Sequence, residues 1–169
     1  DNRYVYAQAQ EGFVVRVDVE TGYARSVKPV HPEGETLRYN WNAAIAQDPF
    51  DAGTIYFGSQ FIHKSTDRGA SWEVISPDLT TNDTAHQKAL SSGGLTWDVT
   101  GAENYTSIIS ISPSTLEKDV LWVGTDDGYV QLSRDGGKTW NNVTGAMRGL
   151  PKGTWIAQVN AGEHGKGEA

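Results

Sequence analysis

The sequence predicts an all-β protein, and three observations carry that reading. Valine, isoleucine, threonine and tyrosine outweigh leucine, alanine and methionine, a balance that suits strands better than helices. Glycine is abundant at 19 of 169 residues, which supplies tight turns between short strands. An eight-residue turn pattern also occurs twice: Ser65-Thr66-Asp67-Arg68-Gly69-Ala70-Ser71-Trp72 and Ser133-Arg134-Asp135-Gly136-Gly137-Lys138-Thr139-Trp140 both fit Ser-x-Asp-x-Gly-x-Ser/Thr-Trp.

The repeat extends beyond the turn. Thr54-Ile55-Tyr56-Phe57-Gly58-Ser59 precedes the first copy as Val120-Leu121-Trp122-Val123-Gly124-Thr125 precedes the second. Further upstream stand two more alternating runs, Asn42 to Gln47 before Asp48-Pro49 and Ser107 to Ser112 before Pro113. Each copy therefore reads as four strands, over 38–76 and 105–144, the size of one β-propeller blade. In each turn the Asp carboxylate accepts backbone N–H groups, the Gly takes φ > 0, and the Trp covers the turn from the core side. Ser65, Asp67, Gly69, Trp72 and Ser133, Asp135, Gly137, Trp140 are thus expected to be structural, not catalytic carboxylates or calcium ligands.

The flanks suggest a third unit in permuted order. Residues 1–30 hold three outer strands, with Arg3 to Gln8 as the second strand of a blade and Gly12 to Val27 as its last two around a degenerate turn. Residues 154–160, Thr154-Trp155-Ile156-Ala157-Gln158-Val159-Asn160, have the inner-strand pattern, and Ile156-Ala157-Gln158 echoes Ile45-Ala46-Gln47. They are expected to form the inner strand of the next or the permuted blade. The chain then carries about three four-stranded blades, too few to close a ring, so the remaining blades or a second copy of the chain are expected as partners. Residues 77–104 form one long polar insertion, which at that length is expected to be functional or mobile.

Composition narrows the function. The formal net charge of −7 and pI near 5.0 argue against nucleic acid as partner, because counterion release needs a basic surface. The lack of cysteine removes disulfides, thiolate metal sites and cysteine nucleophiles. No run approaches the ~18 apolar residues of a membrane helix. The sequence opens in a strand pattern without a signal peptide, suggesting a processed or excised chain. His31, His63, His86 and His164 have no metal-ligand spacing, so no metal or cofactor is expected. Sequons at Asn82, Asn104 and Asn142 are discounted, and Gly136-Gly137-Lys138-Thr139 lacks the first glycine and following helix of a phosphate loop.

The two turns and their flanks resemble the Asp-box, or bacterial-neuraminidase-repeat, propellers, a group that includes sialidases, xyloglucanases and sortilin-type propellers. The phrases Arg38-Tyr39-Asn40-Trp41-Asn42, Ile75-Ser76-Pro77-Asp78-Leu79-Thr80 and Leu121 to Gly128 bring the resemblance closest to bacterial sortilin-like repeat proteins. It implies a propeller fold and an exported bacterial protein, periplasmic or extracellular. It does not choose between enzymes and binding proteins, since both carry the boxes. A sialidase arginine triad is absent from the sequence.

A glycosidase needs two carboxylates ~5–9.5 Å apart across a sugar ring. Glu103 and Asp98 are the acids best placed for that, with Asp126 and Asp127 in a turn, but none forms a motif. Glu103 is the one weak catalytic candidate. Tyr39, Trp41, Trp97, Tyr105 and Trp155 fall near inner-strand starts, where aromatic faces could stack on sugar or peptide, with Arg38, Asn40 and Glu103 as polar companions. The expected function is a non-enzymatic binding or scaffold module; the alternative is a glycoside-hydrolase fragment.

Overall fold

The computed structural model describes residues 2–87 and 104–169, and its architecture is all-β. Three antiparallel sheets follow one another along the chain. The first contains β1 (Tyr4–Ala9), β2 (Phe13–Asp18) and β3 (Ala24–Ser26) in that order. The second contains β4 (Ile45–Gln47), β5 (Ile55–Gly58), β6 (Ile62–Ser65) and β7 (Glu73–Val74). The third repeats that order with β8 (Ile108–Pro113), β9 (Leu121–Thr125), β10 (Val130–Ser133) and β11 (Asn141–Asn142). Neighbouring strands are neighbours in sequence throughout, so each sheet is a meander closed by local turns.

Alternation places the core between sheets. Val14, Val27, Tyr39, Ala43 and Phe57 form one buried cluster where the first sheet meets the second, joined by Trp72. Tyr56, Ile62, Leu79, Ile108, Leu121 and Val123 form the next, joined by Ile75 and Trp140. The second strands of the latter two sheets, β5 and β9, are buried on both faces, which is why Ile55-Tyr56-Phe57-Gly58 and Leu121-Trp122-Val123-Gly124 read as near-continuous apolar runs.

The two repeated turns are closed by their own side chains. Asp67 accepts the Ser71 N–H at 2.8 Å, the Ser71 hydroxyl at 2.7 Å and the Ser65 hydroxyl at 2.8 Å, while the Gly69 N–H donates to Ser65 Oγ at 2.7 Å. Asp135 accepts the Thr139 N–H at 2.9 Å and hydroxyl at 2.6 Å in the same way. These bonds hold both carboxyls down at about 2, the hydroxyls of Ser71 and Thr139 contributing most. With their lone pairs filled by the turn itself, the acids have a complete structural role.

The tryptophans do more than cover their own turns: the Trp140 indole donates both to Gly137 of its own turn at 3.1 Å and to Ile75 of the preceding sheet at 3.0 Å, and Trp72 donates to the Val27 carbonyl of the preceding sheet at 2.8 Å. The polar segment after β7 also begins as a packed strap. Leu79 is 1% exposed, its N–H donates to Gln60, and its carbonyl accepts the Gln131 side chain. Residues 77–81 thus fasten the second sheet to the third.

Residues 154–160 hold no sheet partner among the described residues. Ile156 nonetheless donates its N–H to Thr125 at 3.0 Å, and the Val159 and Ala161 N–H groups donate to the hydroxyls of Ser110 and Ser112. The segment lies along the third sheet and buries Ile156 with Trp122, Val130 and Leu132.

Candidate ligand-binding face

The β1–β2, β5–β6 and β9–β10 turns gather at one end of the sheets with the segments that lead into β4 and β8. Backbone bonds tie them: Ile108 donates to Ser59 at 2.7 Å and Asn104 to Tyr39 at 3.0 Å. This end holds the described members of the sequence-predicted ligand set, and it uses them in two distinct ways.

The polar members are struts. The Arg38 guanidinium pairs with Asp78 at 2.7 Å and donates to the Thr106 carbonyl at 3.1 Å, while its backbone N–H donates to Gln60 Oε1 at 2.8 Å. Asn40 is 4% exposed and its amide donates to Asp126 Oδ2 at 3.1 Å. Asp126, wholly buried, also accepts the Ser107 N–H at 2.9 Å and the Ser107 hydroxyl at 2.8 Å. Burial raises its carboxyl to about 6 against the pull of those donors and of Asn40. Asp127 accepts the Thr81 N–H and hydroxyl at 2.7 Å each, together with the Thr125 hydroxyl. Arg38, Asn40, Asp126 and Asp127 therefore cross-link the lead-in segments, strap and turns, and their polar valences are engaged within the chain.

The aromatic members divide. Tyr39 is 2% exposed, packed on Phe57 and lying over Gly12, where a Cβ would overlap its ring. That burial takes it off the ligand face and makes it core, contrary to the stacking role expected of it; burial also pushes its phenol up. Trp41 and Trp155, by contrast, are 47% and 45% exposed. Trp41 lines a groove of about 550 Å³ with Phe13, Gln8, Gln10, Glu11 and Asn42. Tyr105 is half-buried and meets His86 edge-on at 5.6 Å, with His86 Nδ1 held 2.8 Å from Asp83. Trp97, Asp98 and Glu103 lie outside the described residues. Among the described residues, no group of three or more His, Cys, Asp or Glu is placed to hold a metal, and no helix is long and apolar enough to cross a membrane.

One buried pair escaped the sequence reading. His63 Nε2 lies 2.8 Å from Ser59 Oγ, both residues are 0% exposed, and burial brings the imidazole down to about 4. A Ser–His contact sealed from solvent between two sheets has no substrate access and acts as packing. Lining up the repeats could have found it: His63 pairs with Phe57 as Gln131 pairs with Val123, so it occupies a position facing the preceding sheet.

No family model matches the chain, and no curated protein matches it. Solved structures do. The chain is similar to a xyloglucanase of family GH74 from Xanthomonas campestris, at 18% identity and TM-score 0.54, over 87% of this chain and 20% of that one. It is also similar to YCF48 bound to D1 peptide, at 13% identity and TM-score 0.50, over 84% of this chain and 38% of that one. At these identities the likeness shows the fold: the three sheets are blades of a β-propeller. The chain spans a fifth of the xyloglucanase and less than two fifths of YCF48.

Proposed function

We propose that the chain is a segment of an Asp-box propeller of the sortilin-like bacterial kind, exported from the cell, whose role is to bind rather than to catalyse. Its ligand, a peptide, glycan or partner protein, would sit on the end where the inner strands begin. The observation that carries this reading is the division of labour on that end. Of the described acids there, Asp78, Asp83, Asp126 and Asp127 each face a cation, imidazole, amide or hydroxyl of the chain itself, and Glu11 stands exposed beside Trp41, so the engaged acids offer no facing pair for glycoside cleavage. The exposed chemistry is aromatic, in Trp41 and Trp155, which suits stacking against a ligand. The structure of YCF48 with a peptide gives one instance of a propeller of this shape holding such a ligand.

A glycoside-hydrolase fragment is the second reading, favoured by the likeness to the xyloglucanase, with Glu103 as its candidate acid and others drawn from further blades. Peptide and glycan arrays run beside hydrolysis of polysaccharide separate the two. Binding that weakens at least about tenfold in Trp41→Ala or Trp155→Ala without turnover supports the binding module. Turnover abolished in Glu103→Gln overturns it.

A further inference from the structure

Most polar side chains at the inner-strand end are committed to the chain itself, as Arg38, Asn40, Asp126 and Asp127 show. Around Tyr105 the pattern changes. His86 Nε2, the Tyr105 hydroxyl and the Lys152 ammonium make no hydrogen bond or ion pair among the described residues. His86 and Lys152 are exposed and Tyr105 is half-buried, so all three groups are open to a ligand.

The chain goes to some expense to bring them together. Asn82 and Thr106 both hold a positive φ, +49° and +63°, which for the β-branched Thr106 is a strained backbone. One side chain ties the two: the Gln87 amide donates to Asn82 Oδ1 and to Thr106 Oγ1, each at 2.8 Å. The Thr106 hydroxyl in turn donates to the Tyr105 carbonyl at 2.6 Å. This brace sets the short turn Thr84–His86 against Tyr105, whose ring meets His86 edge-on. Tyr105 then aims its hydroxyl at the Pro151–Thr154 turn, 3.9 Å from where a Cβ on Gly153 would lie, and Lys152 stands next to that glycine.

We infer that Lys152, Tyr105 and His86 form a subsite for a carboxylate of the ligand, the group carried by an acidic peptide or an acidic sugar. The ammonium pairs with the carboxylate and the phenol donates to it, with Nε2–H as a further donor in the imidazolium form. Asp83 is the nearest internal competitor for Lys152, but both of its oxygens are taken, by the Ala85 N–H at 3.1 Å and by His86 Nδ1 at 2.8 Å. Burial first, and then Asp127, Asp126 and Asp83, raise the Tyr105 phenol, which keeps it a donor. Those same three acids oppose a second negative charge, so the site suits a monoanion rather than a dianion. The inference rests on the binding role proposed above and names the chemistry of its ligand; binding of a neutral ligand alone would leave that role standing and remove this subsite.

The test titrates the chain with acetate at fixed ionic strength and follows the His86 ring signals by NMR, with acetamide as the neutral isostere and sulfate as the dianion. Acetate is expected to give a saturable shift, acetamide none, and sulfate binding at least about threefold weaker. Tyr105→Phe removes the hydroxyl and Lys152→Met the charge, and each should weaken acetate at least about threefold. The Trp72 and Trp140 indole signals, held by bonds between blades, report that the variants remain folded. Triglutamate and trigalacturonate then separate the two sources, the natural kind binding at least about tenfold more tightly than acetate. Equal shifts with acetate and acetamide overturn the inference. So do acetate binding that both variants leave unchanged, sulfate binding tighter than acetate, and affinities for both oligomers no better than that for acetate.

Discussion

Trp140 donates its indole N–H to the carbonyl of Ile75 at 3.0 Å, across the boundary between two blades, and Trp72 makes the same bond to Val27. The tryptophan of the repeated turn is therefore a fastener between blades as well as the start of an outer strand. Trp140→Phe retains much of the ring packing and leaves a part-buried carbonyl without its donor from the next blade. Stability should fall by about 1–3 kcal/mol, the cost of an unsatisfied buried acceptor, as measured by urea unfolding. A loss below a few tenths would show that the bond is incidental.

The glycine of the turn gives a sharper contrast. Gly137 combines φ of +97° with Ile75 pressed against it, its backbone oxygen 2.8 Å from where a Cβ would lie, whereas Gly22 at +71° faces open space. Gly22→Ala should therefore cost only the left-handed strain, about 1–2 kcal/mol. Gly137→Ala adds a clash with main chain that cannot rotate away, and should cost at least about 2 kcal/mol more. Equal losses in the two variants would mean that the blades separate freely at this point.

The blade register was legible because it is written twice, in turns whose residues act locally: Asp67 and Asp135 close bonds within four positions of themselves. What connects blades was not. Arg38 meets Asp78 forty residues away and Asn40 meets Asp126 eighty-six away, and no local pattern marks such pairs. Arg38 and Asn40 consequently looked like ligand contacts when the fold needs them as struts. Tyr39 misled for a related reason: the space that buries it is made by Gly12, a turn residue of another blade. The echo between Ile156-Ala157-Gln158 and Ile45-Ala46-Gln47 also misaligned the last segment. Ile156 packs on Gly124 as Ile108 does on Gly58, so its counterpart is Ile108.

His63 predicts the acid limb of stability. Burial, with a smaller contribution from His31, lowers its imidazole from 6.5 to about 4. The unfolded chain thus binds this proton more readily, and the stability contribution is present above pH 6.5 and lost as pH falls toward 4. His63→Gln, the residue found at the matching position 131, should flatten the fall between those pH values by on the order of 2–3 kcal/mol. Thermal melts at pH 4.5 and 7 check this; parallel curves for both proteins would assign the acid sensitivity elsewhere.

Asp126 works in the opposite direction. Its carboxyl is raised by burial from 3.8 to about 6, so the folded chain holds the proton more tightly than the unfolded one. The favourable contribution is complete below pH 3.8 and fades as pH rises through 6, because ionisation then leaves a charge in the joint between Asn40 and Ser107. The donors around it soften that cost without removing it: two Ser107 groups and the Asn40 amide face a carboxylate that no cation pairs with among its described hydrogen-bond partners. Asp126→Asn keeps an acceptor for Ser107 while removing the titration, at the expense of setting one amide against another at Asn40. The wild type should therefore exceed this variant in stability most clearly near pH 4.5. The gap should narrow by on the order of 1–3 kcal/mol by pH 7.5. A gap that widens with pH in denaturant titrations would mean that the ionised carboxylate is what the joint requires.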